Sequence, residues 1–513
     1  MKYKLLALFL ALLAVACGGT DNPEPIPEEI AGPVLVSTDP ADGATGLTGA
    51  SLSIRFTFDQ TIACTAEGQK GITVDGGAII SSVSPSGANL TVLVSGLSRG
   101  KSYTVSLAAG SVRGYKQNQK GSAAITFRFS MKDPDPVDPG SWETAATAVK
   151  NMGVGWNLGN TLESNSGDIN NMWIEMNPNR TPSTYENAWG QTDATRALIH
   201  MFKEAGFNAI RIPVTWYPHM GTIQLQWENE DWHWDKSAWT GYEVDPGWMA
   251  RVKEVVDYVI DEGMYCILNV HHDTGAASTA WLVAGEPEFE AAKPRYQALW
   301  QQIAETFKDY DARLLFESYN EMLDPYDSWC FASFATPARY DADVAASAYR
   351  GINQYAKLFV ETVRASSGNN ALRNLVINTY GACSGDGTWN SHLTDPLAQL
   401  ELPEAPGHLA VEVHSYWEAD KFDAQKADID RLFNNLDQHI VRRLGVPAII
   451  GEWGGGNVSD EVAARFAGYF SQKAHDAGIA AFMWMGLSDG EDRAVPKWTM
   501  PLTKDAILKP YLP

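Results

Sequence analysis

Cysteine is scarce in this 513-residue chain, and the five present (Cys17, Cys64, Cys266, Cys330 and Cys383) never fall at metal-ligand spacing. Cys266 lies inside an apolar run and reads as a buried thiol. Cys330 and Cys383 are open to pairing in an oxidising compartment, which spacing alone does not decide. Positive charge is also in short supply. Against 62 acidic residues stand 39 basic ones, for a net charge of −23. Such a surface repels phosphate backbones and excludes nucleic acid as a partner, whereas neutral polymers remain open. No apolar run spans a bilayer comfortably; the longest at the N-terminus is Leu5 to Ala16. Tryptophan is missing from the first 141 residues, since all 18 lie at or after Trp142.

What is there begins with a secretion pattern. Lys2 and Lys4 precede the apolar stretch, and Ala14-Val15-Ala16-Cys17 resembles a bacterial lipobox. Residues 1–16 are expected to be a lipoprotein signal peptide. Residues 17–32, polar, acidic and proline-rich, then read as a tether from a lipidated Cys17. The expected location is the bacterial cell envelope, as a cell-surface lipoprotein, with secreted or periplasmic protein as the alternative. The anchor would be the only membrane contact, and a monomer is the expected state.

Residues 33–131 carry short β-rich runs (SLSIRFTF, GITV, LTVLVS, YTVSLA and AITFRF) separated by Gly, Ser, Asn and Pro. That pattern predicts a small β-sandwich. Its opening resembles bacterial immunoglobulin-like domains. Lacking tryptophan, it has no obvious sugar platform and reads as a spacer. A Pro/Asp-rich linker follows over 132–141.

From Trp142 the rhythm changes. Eight apolar runs alternate with helical segments: MGVGWNLG, NAIRIPVTW, MYCILNVHH, RLLFESYNE, NLVINTYG, HLAVEVHSYW, VPAIIGEWG and IAAFMWMG. Between them, Trp248, Val252, Val255, Val256, Val259 and Ile260 recur at the helical period, and Gly263 offers a stop. Eight such units predict a (β/α)8 barrel over 142–513. A doubly wound sheet is the alternative, but no Gly-rich phosphate loop follows the first run.

Barrel chemistry sits at the C-terminal ends of strands. Those ends carry Asn157 and Asn160, Arg211, His271 and His272, Asn320 and Glu321, His414 and Tyr416, Glu452, and Trp484. Most of these groups are polar, and the pattern recurs on seven of the eight runs, whose ends converge on one mouth. Alternation puts Glu412, His414 and Tyr416 on one face, and Glu317 on the face of Glu321 but deeper. Glu317 and Glu412 read as core carboxylates held by partners such as Arg211. Glu321 and Glu452 suit acid/base and nucleophilic work, with Arg211 keeping one of them ionised. A zinc reading of His271-His272-Asp273 is weighed and set aside, because adjacent strand residues face opposite ways and HExxH is absent. No serine-nucleophile elbow is expected. Four tryptophans after the second run (Trp227, Trp232, Trp234 and Trp239) suit stacking on pyranose faces, with one or two expected on sugar and the rest packed inside.

GVGWNLGNTLE, AIRIPVTWYPHM, ILNVHHD, FESYNEM, VHSYW and IIGEWG occur in this order. Together they resemble glycoside hydrolase family five, in its endoglucanase branch, from about residue 145 to the C-terminus. The resemblance implies an endo-β-1,4-glucanase that retains anomeric configuration, with no metal or other cofactor. It implies Glu321 as general acid/base and Glu452 as nucleophile. It further implies that Asn320 holds the sugar 2-hydroxyl and that Arg211 and Tyr416 flank the nucleophile. His271 and His414 would contact sugar or the carboxylates, His272 would orient the floor, Trp484 would stack under a sugar, and Asn157 would support that subsite. Xyloglucan- and mixed-linkage-specific enzymes are the near alternatives. A β-mannanase is less favoured, and a non-catalytic glycan-binding lipoprotein is the remote one. Met322 stands where the family usually has proline, so Glu321 loses one backbone constraint.

Overall fold

A computed structural model describes residues 30–49, 51–97, 100–116, 119–132, 142–325, 340–385, 392–484 and 495–512. The expected signal peptide, Cys17, most of the tether, nearly all of the linker and Cys330 lie outside these residues.

The five β-rich runs of the N-terminal region all form strands, at Ser51–Phe58, Ile72–Val74, Asn89–Ser95, Ser102–Leu107 and Ile125–Met131. They divide between two four-stranded sheets. Alternation builds the core: Ile54, Phe56, Phe58, Leu90, Val92 and Val94 from one sheet meet Tyr103, Val105, Leu107, Phe127 and Phe129 from the other. Within these two sheets, three strands lack a matching apolar run: Leu35–Asp39, Ala44–Leu47 and Ile79–Ser86. Each lies at a sheet edge. An edge strand packs against one neighbour only and tolerates the serines and Pro85 of IISSVSPS.

The eight later runs close into a parallel barrel in chain order. Its strands are β1 Val154–Asn157, β2 Ala209–Ile212, β3 Tyr265–Asn269, β4 Leu314–Glu317, β5 Leu375–Asn378, β6 Leu409–Tyr416, β7 Ala448–Gly454 and β8 Ala480–Met483. The expected helix after β2 spans Pro246–Asp261, with Asp245 capping the Trp248 N–H at 2.8 Å and Pro246 in the first turn. The helix before β2, Arg196–Ala205, stops at Gly206 in the left-handed region (φ 110°).

The two ends of the barrel differ in chemistry. At the bottom, the helix Ala145–Met152 inserts Ala148, Val149 and Met152 among Ala209, Ile267, Leu315, Val376, Ala410, Ile449 and Phe482. That layer is apolar apart from Tyr265, whose hydroxyl accepts from Asn151 at 3.1 Å and donates to Glu143 at 3.0 Å. One layer higher the inward residues turn polar, with Arg211, Asn269, Glu317, Asn378 and Glu412 all fully buried. Burying this many polar groups is tolerable only if each finds a partner.

Candidate active site

Arg211, at the end of β2, is the hub of that polar layer. Its Nε and Nη2 donate to the two oxygens of Glu317 at 2.7 and 2.8 Å, the bidentate pairing only a guanidinium provides. Nη1 reaches Asn157 Oδ1 at 3.0 Å and Glu452 Oε1 at 2.8 Å, and Nη2 also reaches Asn320 Oδ1 at 2.8 Å. Nε lies 3.2 Å from Glu412 Oε1. Burial alone would lower the Arg211 pKa, but Glu317, Glu412 and Glu452 outweigh it and hold it well above the usual range.

The partners of Arg211 are thereby oriented. Asn320 turns its oxygen to the guanidinium, which fixes the amide orientation and keeps its N–H groups as donors. Asn157 spends its amide on the carbonyls of Gly451 (2.8 Å), Phe482 and Met483. Asn157 and Arg211 are both fully buried. They form the floor under the site and present no surface to a substrate.

Above this floor stand Glu321 and Glu452, on the loop after β4 and on β7. Glu452 receives Arg211 on one oxygen and the Tyr416 hydroxyl on the other, the latter at 2.6 Å. Gly451 before it packs against the side chain of Glu412. A Cβ at 451 would sit 1.8 Å from Glu412 Oε1, so only glycine lets the two strands share this space. Glu321 receives His414 Nδ1 at 2.7 Å. The other ring nitrogen of His414 meets Glu412 Oε1 at 3.2 Å. Burial would push His414 down, but Glu452, Glu321 and Glu412 override it and raise it to about 10. His414 is therefore an imidazolium bridging carboxylates.

That assignment bears on metal binding. Glu321, His414 and Glu452 bring one ligand atom each within 4.8 Å of one another, close enough to hold an ion. A protonated imidazole has no lone pair to offer, however, and it already supplies the cation at that point. His271 and His272 also differ from expectation. Strand β3 ends at Asn269, so alternation no longer separates them, and their rings meet edge to face at 4.5 Å. Burial pushes His271 well down and His272 down to about 4, so both are neutral.

The tautomer of His271 follows from a backbone group. The Val214 N–H donates to Asn269 Oδ1 at 3.1 Å, which fixes the amide orientation. Asn269 Nδ2 must then donate, to Glu317 at 3.1 Å and to His271 Nδ1 at 3.0 Å. The His271 proton consequently sits on Nε2, which faces Glu452 Oε1 at 3.8 Å. The Trp484 ring lies parallel to His271, 5.6 Å away.

Sequence reading passed over several contributors. Asn269 stands two residues before His271, the same spacing that singled out Glu412 before His414. Asn378, ending β5, donates to Glu317 Oε1 at 3.4 Å and completes the ring of polar strand ends. Glu163 gathers the N–H groups of Asn160 and Thr161 (2.9 Å), bracing a turn in which Asn160 has φ 55°. Against expectation, the serine-elbow pattern is present in the sequence. Gly96 to Gly100 and Gly486 to Gly490 both spell G-x-S-x-G. The first stands between two sandwich strands, Asn89–Ser95 and Ser102–Leu107, with its Ser98 outside the described residues. The second lies outside the described residues.

The Met322 departure has a structural counterpart. Met322 is fully buried. Its carbonyl accepts the Gly381 N–H at 3.0 Å, the Leu323 carbonyl accepts Ala284 N–H at 2.7 Å, and Asn320 N–H donates to Val270 at 2.9 Å. Three cross-loop bonds thus hold the Glu321 backbone where a proline would have restricted it.

Residues 168–489 match the family described as Cellulase (glycosyl hydrolase family 5). The chain belongs to glycosyl hydrolase family 5. Residues 29–131 match the bacterial Ig-like domain family. Among family 5 relatives, Endoglucanase B of Neocallimastix patriciarum is 33% identical over 67% of this chain, which spans 65% of that relative's length. A GH5-4 broad specificity endoglucanase from an uncultured bacterium is 46% identical, covering 73% of this chain and 97% of its own, with a TM-score of 0.64. A family 5 enzyme from Prevotella bryantii B14, solved with a xyloglucan tetradecasaccharide, is 36% identical over 72% of this chain and 99% of its own, with a TM-score of 0.60. Family 5 enzymes are retaining. Retention needs carboxyl groups about 5–5.5 Å apart rather than the wider gap that admits a water. One oxygen of Glu321 and one of Glu452 lie within 4.8 Å of each other, so the two carboxyl groups face each other closely across the mouth.

The polar layer carries a pH signature. Burial, with Glu317 close by, pushes Glu412 up to about 7 against the pull of Arg211 and His414. An unfolded glutamate ionises near 4.3. The stability this group contributes is therefore complete below about pH 4.3 and is lost as pH rises through about 7. Glutamine cannot ionise. The melting temperature of Glu412→Gln relative to wild type is expected to climb between pH 4.5 and 8 in thermal melts. A difference that stays constant across that range would contradict the account.

Proposed function

We propose that this protein is an endo-acting β-1,4-glucanase that hydrolyses β-glucan polysaccharides with retention of configuration. The observation that carries the reading is the Glu321–Glu452 pair within 4.8 Å, with Arg211 and Tyr416 directed at one member and His414 at the other. Glu452 attacks the anomeric carbon while Glu321 protonates the leaving oxygen. Water then attacks the glycosyl-enzyme with Glu321 as base. During the first step Glu321 becomes an anion beside the His414 imidazolium, and Glu452 loses its charge as it forms an ester. Negative charge thus moves between two groups that His414 touches or nearly touches, and the buried layer keeps its balance. Asn320 donates to the sugar beside the reacting carbon, and Trp484 offers a stacking face.

Substrate breadth is part of the proposal. Relatives are named endoglucanases, and one solved neighbour holds a xyloglucan tetradecasaccharide. Reducing-end release is expected from mixed-linkage glucan, xyloglucan and carboxymethyl cellulose, with less from glucomannan. Release from none of these would overturn the reading. We further propose that the enzyme is a monomer anchored through a lipidated Cys17. Detergent-phase partitioning that Cys17→Ala abolishes supports the anchor, and aqueous-phase wild type rejects it.

A further inference from the structure

The excursion between β2 and the helix Pro246–Asp261 is not a simple loop. It contains a hairpin of Leu225–Glu228 with Asp231–Trp234, in which Leu225 faces Trp234 and Trp227 faces Trp232. Asn229 and Glu230 at the tip both have positive φ, 50° and 68°. That is the two-residue turn whose twist matches its strands, so the tip is a defined structure. By alternation, Leu225, Trp227, Trp232 and Trp234 share one face.

Burial along that face is graded. Trp234 is 2% exposed and lies face to face with Tyr217 at 5.2 Å. Trp239, 9% exposed, closes over its edge at 5.3 Å. The hairpin is anchored by these two. Trp227, by contrast, is 61% exposed, and its described ring contact is the edge of Trp232 at 5.4 Å. Folding gains little from a tryptophan held out in water at the tip of a stiff hairpin.

The hairpin is continuous with the catalytic centre. Trp234 stacks on Tyr217, whose hydroxyl donates to Asn165 Oδ1 at 3.3 Å. Trp189 donates to the Asn165 carbonyl at 3.1 Å, and its ring lies 5.4 Å from His272. His272 packs on His271, which faces Glu452. The tip chemistry selects among polymers. Trp227 is flanked by Glu228, Asn229, Glu230 and Asp231. Carboxylates repel anionic chains but accept hydrogen bonds from hydroxyls. A flat aromatic face with acceptors at its edge matches the apolar face and hydroxyl rim of a neutral pyranose.

We propose that the Trp227–Trp232 pair is a polymer-binding platform outside the catalytic cleft. It grips a distal stretch of the same neutral β-glucan chain whose bond Glu321 and Glu452 cleave. The inference rests on the glucanase reading. Trp227→Ala is the informative variant, because an exposed ring can be removed without opening the core, and Trp227→Phe keeps an aromatic face. On soluble xyloglucan, Trp227→Ala is expected to raise KM about fivefold at unchanged kcat, with the increase confined to polymer and largely restored in Trp227→Phe. An unchanged polymer KM, or an equal rise on cellotetraose, overturns the platform. Affinity electrophoresis through xyloglucan gels, using Glu452→Gln as background, separates the two readings. Retardation that Trp227→Ala abolishes supports the platform even if wild type cleaves nothing, and retardation insensitive to Trp227 rejects it.

Discussion

Glu452→Gln is expected to lower turnover of soluble β-glucan by about 10⁴-fold or more, with a melting temperature close to wild type. The amide keeps the size of the carboxylate and can still accept from Arg211, so the floor stays assembled. What disappears is the nucleophile. Glu321→Gln is expected to be just as damaging on polysaccharide, where the leaving oxygen needs a proton. The two roles separate on a substrate whose leaving group needs none. With a dinitrophenyl cellobioside, Glu321→Gln retains a rapid first step and accumulates the glycosyl-enzyme, whereas Glu452→Gln remains inactive. Stopped-flow release of dinitrophenolate checks this. A burst from Glu452→Gln and none from Glu321→Gln would reverse the assignment.

Removing Arg211 is expected to cost stability as well as activity. Its guanidinium serves Glu317, Glu412, Glu452, Asn157 and Asn320 together, and none of its surface is open to water. Arg211→Met strands three buried carboxylates. Breaking one side of a buried ion pair costs about 3–5 kcal/mol, or a fall of roughly 10 °C in melting temperature. Arg211→Lys should recover little, because an ammonium cannot hold both oxygens of Glu317 while reaching Glu452. Adding Glu317→Gln to Arg211→Met removes one uncompensated charge and should restore part of the loss. Denaturant titration of the three variants measures each term. An Arg211→Met variant within about 1 kcal/mol of wild type would show that the carboxylates find other partners.

Much of this is legible in the sequence. Each of the eight apolar runs forms a barrel strand, because a strand buried on both faces is apolar along most of its length. The polar ends stood out against those runs, as Glu321 does after LLFESYN. Three things stayed hidden. Edge strands such as Ile79–Ser86 carry too few apolar residues to register. The division between floor and wall needs depth, and sequence shows only that Asn157 and Arg211 end strands. The protonation of the histidines depends on distant neighbours: His271 takes its tautomer from an amide that the Val214 backbone turns.

The shared guanidinium also shapes how such an enzyme can change over generations. With five acceptors on one side chain, losing the guanidinium disturbs all of them at once, and Gly451 admits no side chain at all. The floor is therefore inherited as a block or lost as a block. Novelty has to enter at the rim, where an excursion such as the one bearing Trp227 can lengthen, shorten or exchange its aromatics without consulting Arg211. New substrate preferences in this lineage would be written in the loops, over chemistry that stays the same.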